Sequence, residues 1–102
     1  MEHFQVKFTK TARRDLEQIR AYIAEASADE WTADRFCGRL LDTALSLDVT
    51  PDRGAKLHTR PDTRFLVLRP YLVFYRILEE ENIVLVLRFW HGAQHPKRLR
   101  LK

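Results

Sequence analysis

The sequence predicts an α+β fold in which a hairpin of two helices packs on one face of a mainly antiparallel sheet. Three observations support this prediction. Apolar residues alternate with polar ones in residues 4–8, recur at helical spacing through residues 10–48, and form three runs rich in β-branched and aromatic residues within residues 64–91. The order is strand, helix, helix, strand, strand, strand. With 102 residues, of which 45% are hydrophobic, the chain fits a single domain spanning residues 1–102.

The first strand and the first helix follow from the spacing of their apolar residues. Phe4, Val6 and Phe8 occupy every second position, as in a half-buried strand. Thr9 offers a side-chain cap for a helix that begins at Lys10. The apolar residues of this helix recur at steps of three and four and form one buried stripe: Ala12, Leu16, Ile19, Ile23 and Ala26.

A second helix follows a short break, with Ser27 or Asp29 as its cap, and runs through about Asp48. Its apolar residues form a wide stripe, so the two helices are expected to pack as an antiparallel hairpin. The stripe comprises Ala33, Phe36, Cys37, Leu40, Leu41, Ala44 and Leu47. Residues 50–54 end the helix, and the polar, basic residues 53–63, which include Pro61, predict an exposed irregular loop.

Three apolar runs predict the remaining strands: Arg64 to Arg69, Tyr71 to Leu78, and Ile83 to His91. The residues Glu79 to Asn82 separate the last two runs as a hairpin loop would. Residues 92–102 form a basic tail that shows no regular pattern. The three strands are therefore expected to form an antiparallel meander.

Composition excludes several classes of protein. No apolar run is long enough to span a membrane, and the N-terminal residues lack a signal-peptide pattern, which predicts an unprocessed cytoplasmic protein. One cysteine and four scattered histidines give no internal disulfide and no zinc motif, and nothing in the sequence calls for a cofactor. Residues 1–51 carry a net charge of −2 and residues 52–102 a net charge of +6, which indicates an anionic partner.

Several local motifs occur in order along nearly the whole chain. They are Phe8-Thr9 before Ala12, Asp15-Leu16, Ile19 and Tyr22-Ile23; Pro51-Asp52-Arg53-Gly54; Tyr71-Leu72-Val73-Phe74-Tyr75-Arg76; and Leu87-Arg88 before His91-Gly92-Ala93. In these motifs the chain resembles the ParE/RelE superfamily of toxins from bacterial type II toxin-antitoxin modules. It is closer to the ParE branch, whose members are often labelled plasmid stabilisation proteins.

The resemblance implies a growth-inhibiting toxin that is held inactive by a cognate antitoxin, whose C-terminal segment folds as it wraps the toxin and forms a hetero-oligomer with it. For the ParE branch it implies inhibition of DNA gyrase by binding, with no catalytic residue in the toxin. For the RelE branch it implies a metal-independent endoribonuclease that cleaves messenger RNA on the ribosome. A basic nucleic-acid-binding module without toxicity is the third hypothesis.

The nuclease hypothesis needs a group that moves protons and cations that stabilise the transition state. The candidates are His91 as acid or base, with Lys56, Arg64, Arg69 and Arg88 as the cationic cluster. However, Tyr71 occupies a position where nuclease members commonly have arginine, so the ParE interpretation is favoured. Alternatively, His91 only caps its strand with a local hydrogen bond.

The gyrase hypothesis needs exposed anchors for the target. The target-binding candidates are Trp31, Tyr71, Trp90, His91, His95, Lys97 and Arg98. Trp31 either anchors a partner or packs over the end of the helix hairpin. Trp90 alternates with Arg88 and Val86 on one strand face, where it either stacks on a partner or fills the second face of the sheet.

The spacing of His91 and His95 and the identity of residue 94 also bear on the site. His91 and His95 have a spacing that suits metal binding on a helix, but Gly92 and Pro96 argue against a helix, so no metal is expected. Gln94 stands where many ParE-like chains have a basic residue, which moves that contact to Lys97 or Arg98.

Overall fold

The computed structural model describes residues 3–93 and Leu101, and it confirms the predicted α+β class. The strands are β1 (Gln5–Phe8), β2 (Ala55–Leu57), β3 (Arg60–Leu68), β4 (Tyr71–Leu78) and β5 (Ile83–His91), and the helices are α1 (Lys10–Ser27) and α2 (Glu30–Leu45). They form one five-stranded sheet in the order β1-β5-β4-β3-β2. None of the helices in these residues is both long and apolar enough to cross a bilayer.

The helix hairpin forms where the caps predict it. The Thr9 hydroxyl accepts a hydrogen bond from the Ala12 N–H at 3.0 Å, and an Asp29 carboxylate oxygen accepts one from Trp31 N–H at 3.1 Å. Of the two predicted caps, Asp29 therefore starts α2. A 3₁₀ turn, Ser46–Asp48, continues the chain from α2 to the predicted end of the second helix.

The sheet is antiparallel from β2 to β5, and β1 joins it in parallel to β5 along residues 83–86. The helices cover one face. Their apolar stripes pack with Val73, Tyr75, Val84 and Val86 in the main core. The hairpin therefore fixes the position of α1 over β5, where the candidate site lies.

The prediction of an irregular loop over residues 53–63 is wrong, because this segment contains β2 and the start of β3. Pro61 fits because the β2–β3 register shifts. Lys56 pairs with Arg64, whereas the next residue, Leu57, pairs with Arg60. Pro61 thus lies among β3 residues that have no partner in β2, where its missing N–H costs no ladder hydrogen bond.

Trp90 does not share a face with Val86 as predicted. The β4–β5 register shifts between Phe74, which pairs with Arg88, and Tyr75, which pairs with Val86. One extra residue in β5 reverses the alternation beyond that point. Val86 consequently lies in the main core, whereas Trp90, 5% exposed, fills the second sheet face with Phe74 and Leu101.

The end of the helix hairpin is fixed by a buried tyrosine on β4. The Tyr75 hydroxyl donates to the Pro51 carbonyl at 2.6 Å and accepts from the Gly54 N–H at 2.9 Å. Burial raises the pKa of Tyr75, so the hydroxyl stays protonated at neutral pH. A Cβ at Gly54 would meet the Tyr75 oxygen at 2.5 Å, and the Gly54 φ of −73° is ordinary. Glycine is therefore required here for space.

Gly54→Ala should destabilise the protein by about 2 kcal/mol, because the new methyl group overpacks the site and disturbs the Tyr75 hydrogen bonds. Gly38→Ala is the control, since nothing lies within 4 Å of its added Cβ in α2. That change should stabilise the protein by about 0.5–1 kcal/mol. Urea unfolding followed by circular dichroism measures both variants. A Gly54→Ala variant as stable as the parent would contradict the close contact.

Candidate functional site

A pocket of about 270 Å³ opens between α1 and the ends of β4 and β5. It is called the His91 pocket here, and its lining comprises Asp15, Gln18, Ile19, Tyr22, Tyr71, Phe89 and His91. The floor is apolar, and Gln18 and Tyr22 are exposed at the rim. The helical spacing of its α1 residues explains why residues 15, 18, 19 and 22 reach one cavity.

Asp15, one of the residues that line the His91 pocket, belongs to a buried ion pair. Arg88 Nε and Nη2 donate to the two carboxylate oxygens of Asp15 at 2.7 and 2.9 Å. The exposed fractions of the two side chains are 15% for Arg88 and 9% for Asp15. The Phe89 N–H also donates to Asp15, at 3.1 Å. This geometry is the bidentate one that gives arginine–carboxylate pairs their strength.

The ion pair defines what these two groups can do chemically. The Asp15 carboxylate accepts hydrogen bonds from three N–H groups, and only 8% of the surface of the residue is exposed. It is therefore poorly placed to take a proton from a substrate. The Arg88 guanidinium also lies 5.1 Å from the ring centre of Trp90. Its charge is balanced by Asp15, so Arg88 is poorly suited to serve as a cation for phosphate.

His91 lies at the mouth of the pocket against Tyr71. The two rings meet edge to face, with centres 5.0 Å apart. The His91 Nδ1 accepts the Ala93 N–H at 3.0 Å, so the neutral ring carries its proton on Nε2. Burial raises the pKa of Tyr71, which keeps its hydroxyl neutral. The local hydrogen bond predicted as the alternative for His91 is therefore present.

The structure separates two of the nuclease candidates, Lys56 and Arg64, from His91. His91 pairs with Tyr71, whereas Arg64 pairs with Tyr75 and Lys56 with Arg64. Tyr75 is four residues along β4 from Tyr71, a distance of about 13 Å in a strand. Lys56 is on β2, which is two strands away from β4 in the sheet. Arg64 donates to the carbonyls of Asp52 and Gly54 at 3.1 and 2.8 Å.

Arg69 is the nuclease candidate that remains near His91. It is exposed in the turn before Pro70, whose carbonyl accepts the Gly92 N–H at 2.8 Å. Of the predicted cations, Arg69 and Arg88 thus lie at the His91 end of the sheet, and Lys56 and Arg64 lie at the other end.

Trp31 is exposed on α2, with 64% of its surface open to solvent. The Arg35 guanidinium lies 4.7 Å from the centre of the indole ring. Both residues line a notch of about 240 Å³ with Thr32, Phe36 and Arg39, called the Trp31 notch here. Phe36 also contacts the Tyr71 ring, with centres 5.6 Å apart, so the notch adjoins the His91 pocket.

The remaining target-binding candidates divide into two groups. Tyr71 and Trp90 are both 5% exposed. His95, Lys97 and Arg98 lie outside the described residues, as does Gln94. Leu101 is described: it packs on the second sheet face, and its carbonyl accepts Arg60 Nη1 at 2.8 Å. Within residues 3–93 and Leu101, no three histidine, cysteine or acidic side chains form a group that could hold a metal ion.

Asp15 is the charged residue of the His91 pocket that the sequence reasoning missed. Its position, three residues after Ala12 and four before Ile19, lies on the apolar stripe of α1. Arg88 interrupts an apolar strand in the same way. One carboxylate on a buried helix face and one arginine in a buried strand are the pattern of a buried pair, and this signal could have predicted the contact.

Comparison with known proteins agrees with this architecture. The model of the ParE toxin of type II toxin-antitoxin systems matches residues 6–96. The protein is thus a toxin of the ParE/RelE superfamily. Within that superfamily, the chain belongs to the ParE toxin family. No curated protein is similar enough in sequence to count as a relative.

Solved structures of both branches share the fold. The toxin-antitoxin complex RelBE2 of Mycobacterium tuberculosis contains a chain with 29% identity and a TM-score of 0.71; the match covers 92% of this chain and 97% of that one. A chain of the chromosomal ParDE system of P. aeruginosa has 20% identity and a TM-score of 0.75; the match covers 87% of this chain and 96% of that one. A mutant of the E. coli toxin RelE in the free state has 19% identity and a TM-score of 0.64; the match covers 91% of this chain and 86% of that one.

Asp15→Asn should destabilise the protein by about 3 kcal/mol, because it leaves the buried Arg88 charge without its counter-ion. Asp34→Asn is the matched control. Asp34 pairs with Arg20 at 2.7 Å, but their side chains are 61% and 42% exposed. Its loss should cost under about 1 kcal/mol. Denaturant midpoints compare the two variants, and equal losses would show that burial adds nothing to the Asp15 pair.

Proposed function

We propose that the protein inhibits DNA gyrase by binding it in the cytoplasm, without catalysis, and that a cognate antitoxin neutralises it. The observation that carries this proposal is the match to the ParE toxin family over residues 6–96. The resemblance of the sequence motifs to the ParE branch points in the same direction.

The distribution of the cationic side chains supports binding over RNA cleavage. A metal-free ribonuclease needs its proton-transfer groups and its cations around one phosphate. Arg88 is paired with Asp15, Arg64 donates to two backbone carbonyls, and Lys56 lies beside Arg64, far from His91. Of the predicted nuclease candidates within the described residues, His91 and Arg69 are then the groups left at that end of the sheet. Replacing His91 distinguishes the two functions.

An antitoxin partner is supported by similar solved structures and by charge. The similar chains from M. tuberculosis and P. aeruginosa come from a toxin-antitoxin complex and a toxin-antitoxin system. The chain carries a net charge of +4, concentrated in residues 52–102. A basic surface attracts an acidic disordered segment, which stabilises the toxin as it folds on it.

The Trp31 notch is the surface we assign to the target. Exposed tryptophan and arginine are the residue types that most often dominate binding energy. Trp31 stands clear of the core, and Arg35 and Arg39 flank it on the exposed face of α2. Among the other predicted contacts, Tyr71 and Trp90 are covered by neighbouring side chains, and half-buried His91 borders the adjoining pocket.

Purified toxin is expected to block supercoiling by gyrase and to accumulate gyrase–DNA cleavage complexes, while leaving cell-free translation intact. His91→Ala should keep this activity to within about tenfold, because no proton transfer is involved. Supercoiling assays and a translation reaction run in parallel test this. Loss of translation that His91→Ala abolishes would instead identify a ribonuclease. Salt-sensitive DNA binding with neither effect would identify a nucleic-acid-binding module.

Trp31→Ala should weaken gyrase inhibition roughly 30-fold, the effect of losing about 2 kcal/mol at an interface anchor. Val67→Ala is the control, since Val67 is 54% exposed on β3, away from the notch. It should leave the inhibition constant unchanged, and both variants should keep the parent's unfolding midpoint. Equal potency of Trp31→Ala and the parent would remove the Trp31 notch from the target interface.

A further inference from the structure

The exposed side of α2 carries Trp31 and two arginines on successive helical turns. Residues 31, 35 and 39 are four positions apart, so they follow one side of the helix at intervals of about 6 Å along its axis. All three side chains are exposed, and all three line the Trp31 notch. An aromatic ring and two guanidinium groups therefore form one strip, called the α2 strip here.

The two arginines of the α2 strip have no acidic partner in the described part of the chain. Glu30 and Asp34 of α2 both pair with Arg20 of α1, at 3.4 and 2.7 Å. Asp42, the third acidic residue of α2, forms no ion pair with either arginine. No carboxylate lines the notch. The strip therefore presents two positive charges that an anion from outside the molecule can neutralise.

The indole ring of Trp31 has one covered face and one open face. The Arg35 guanidinium lies over the ring, 4.7 Å from its centre, and covers one face. Since 64% of the Trp31 surface is exposed nevertheless, the opposite face is accessible. The guanidinium also restricts the rotation of the ring, which lowers the entropy that the side chain loses when a flat group stacks on it.

A ligand of the α2 strip has to bring negative charge and a flat ring together. Nucleic acid does so in every nucleotide, and proteins bind single strands through aromatic rings that stack on bases and cations that follow the phosphates. In a duplex the base faces are hidden in the stack, so an unpaired strand suits Trp31 better. An acidic polypeptide would neutralise the arginines, but its carboxylate side chains carry no ring.

We propose that the Trp31 notch binds an unpaired stretch of DNA strand, with a base stacked on the open face of Trp31 and phosphates at Arg35 and Arg39. This inference rests on the proposed function, because it names the DNA held by gyrase, rather than gyrase protein, as what the notch contacts. A cleavage complex contains broken strands, and bases beside a strand end leave the stack more easily than internal ones. The target thus supplies the ligand that the strip fits.

The experiment measures how purified toxin binds a fluorescent strand of about 12 thymidine nucleotides, a usual site size. Trp31→Ala should weaken binding at least roughly fivefold, the effect of losing one stacked base. Arg35→Gln and Arg39→Gln should each reduce the slope of log affinity against log salt by about 0.7. Arg14→Gln is the matched control, since Arg14 is also exposed but lies on α1, outside the notch. It should leave the slope unchanged.

Tryptophan fluorescence tests the stacking itself. A base on Trp31 should quench the emission of its indole, whereas Trp90, 5% exposed, should give a constant background. Trp31→Phe keeps a ring that stacks, so its affinity should stay within about threefold of the parent's. The quenching should be lost in this variant. Quenching that persists in Trp31→Phe would contradict stacking at residue 31.

The outcomes separate this inference from the proposed function. Equal binding by Trp31→Ala and the parent, or an equal change in Arg14→Gln and Arg35→Gln, overturns the inference and leaves gyrase inhibition to its own assay. Tighter binding of a duplex, of an RNA strand or of thymidine monophosphate also overturns it. Capture of gyrase without DNA that Trp31→Ala abolishes identifies gyrase protein as the occupant and overturns it too. Strand binding through Trp31 without any effect on supercoiling supports the DNA site and contradicts the proposed function alone.

Discussion

The ion pair between Asp15 and Arg88 is the interaction on which the rest of the site depends. It joins α1 to β5 through a bidentate contact, and Asp15 also holds the Phe89 N–H. Leaving one buried charge without its partner costs far more free energy than the intact pair contributes, so each residue requires the other. Since α2 packs on α1 and its Phe36 contacts Tyr71, the pair also fixes the Trp31 notch relative to the His91 pocket.

The same pair limits the chemistry available at this end of the sheet. It neutralises the arginine closest in sequence to His91, and it removes from proton transfer the one buried carboxylate among the described residues. Among the described residues, what stays accessible is an apolar floor with exposed Gln18 and Tyr22 at its rim. Such a concave, mainly apolar surface suits the binding of a partner's apolar group. This arrangement therefore favours a binding function over a catalytic one.

Periodicity and capping residues predicted the helices, their caps and four of the five strands, because those features depend on residues a few positions apart. It failed where a feature depends on register. The displaced residue between Val86 and Arg88 moves Trp90 to the second sheet face, and nothing local in β5 marks it. Pro61 is compatible with β3 only because β2 shifts against it. The Asp15–Arg88 contact joins residues 73 positions apart, although the unusual placement of each residue was visible.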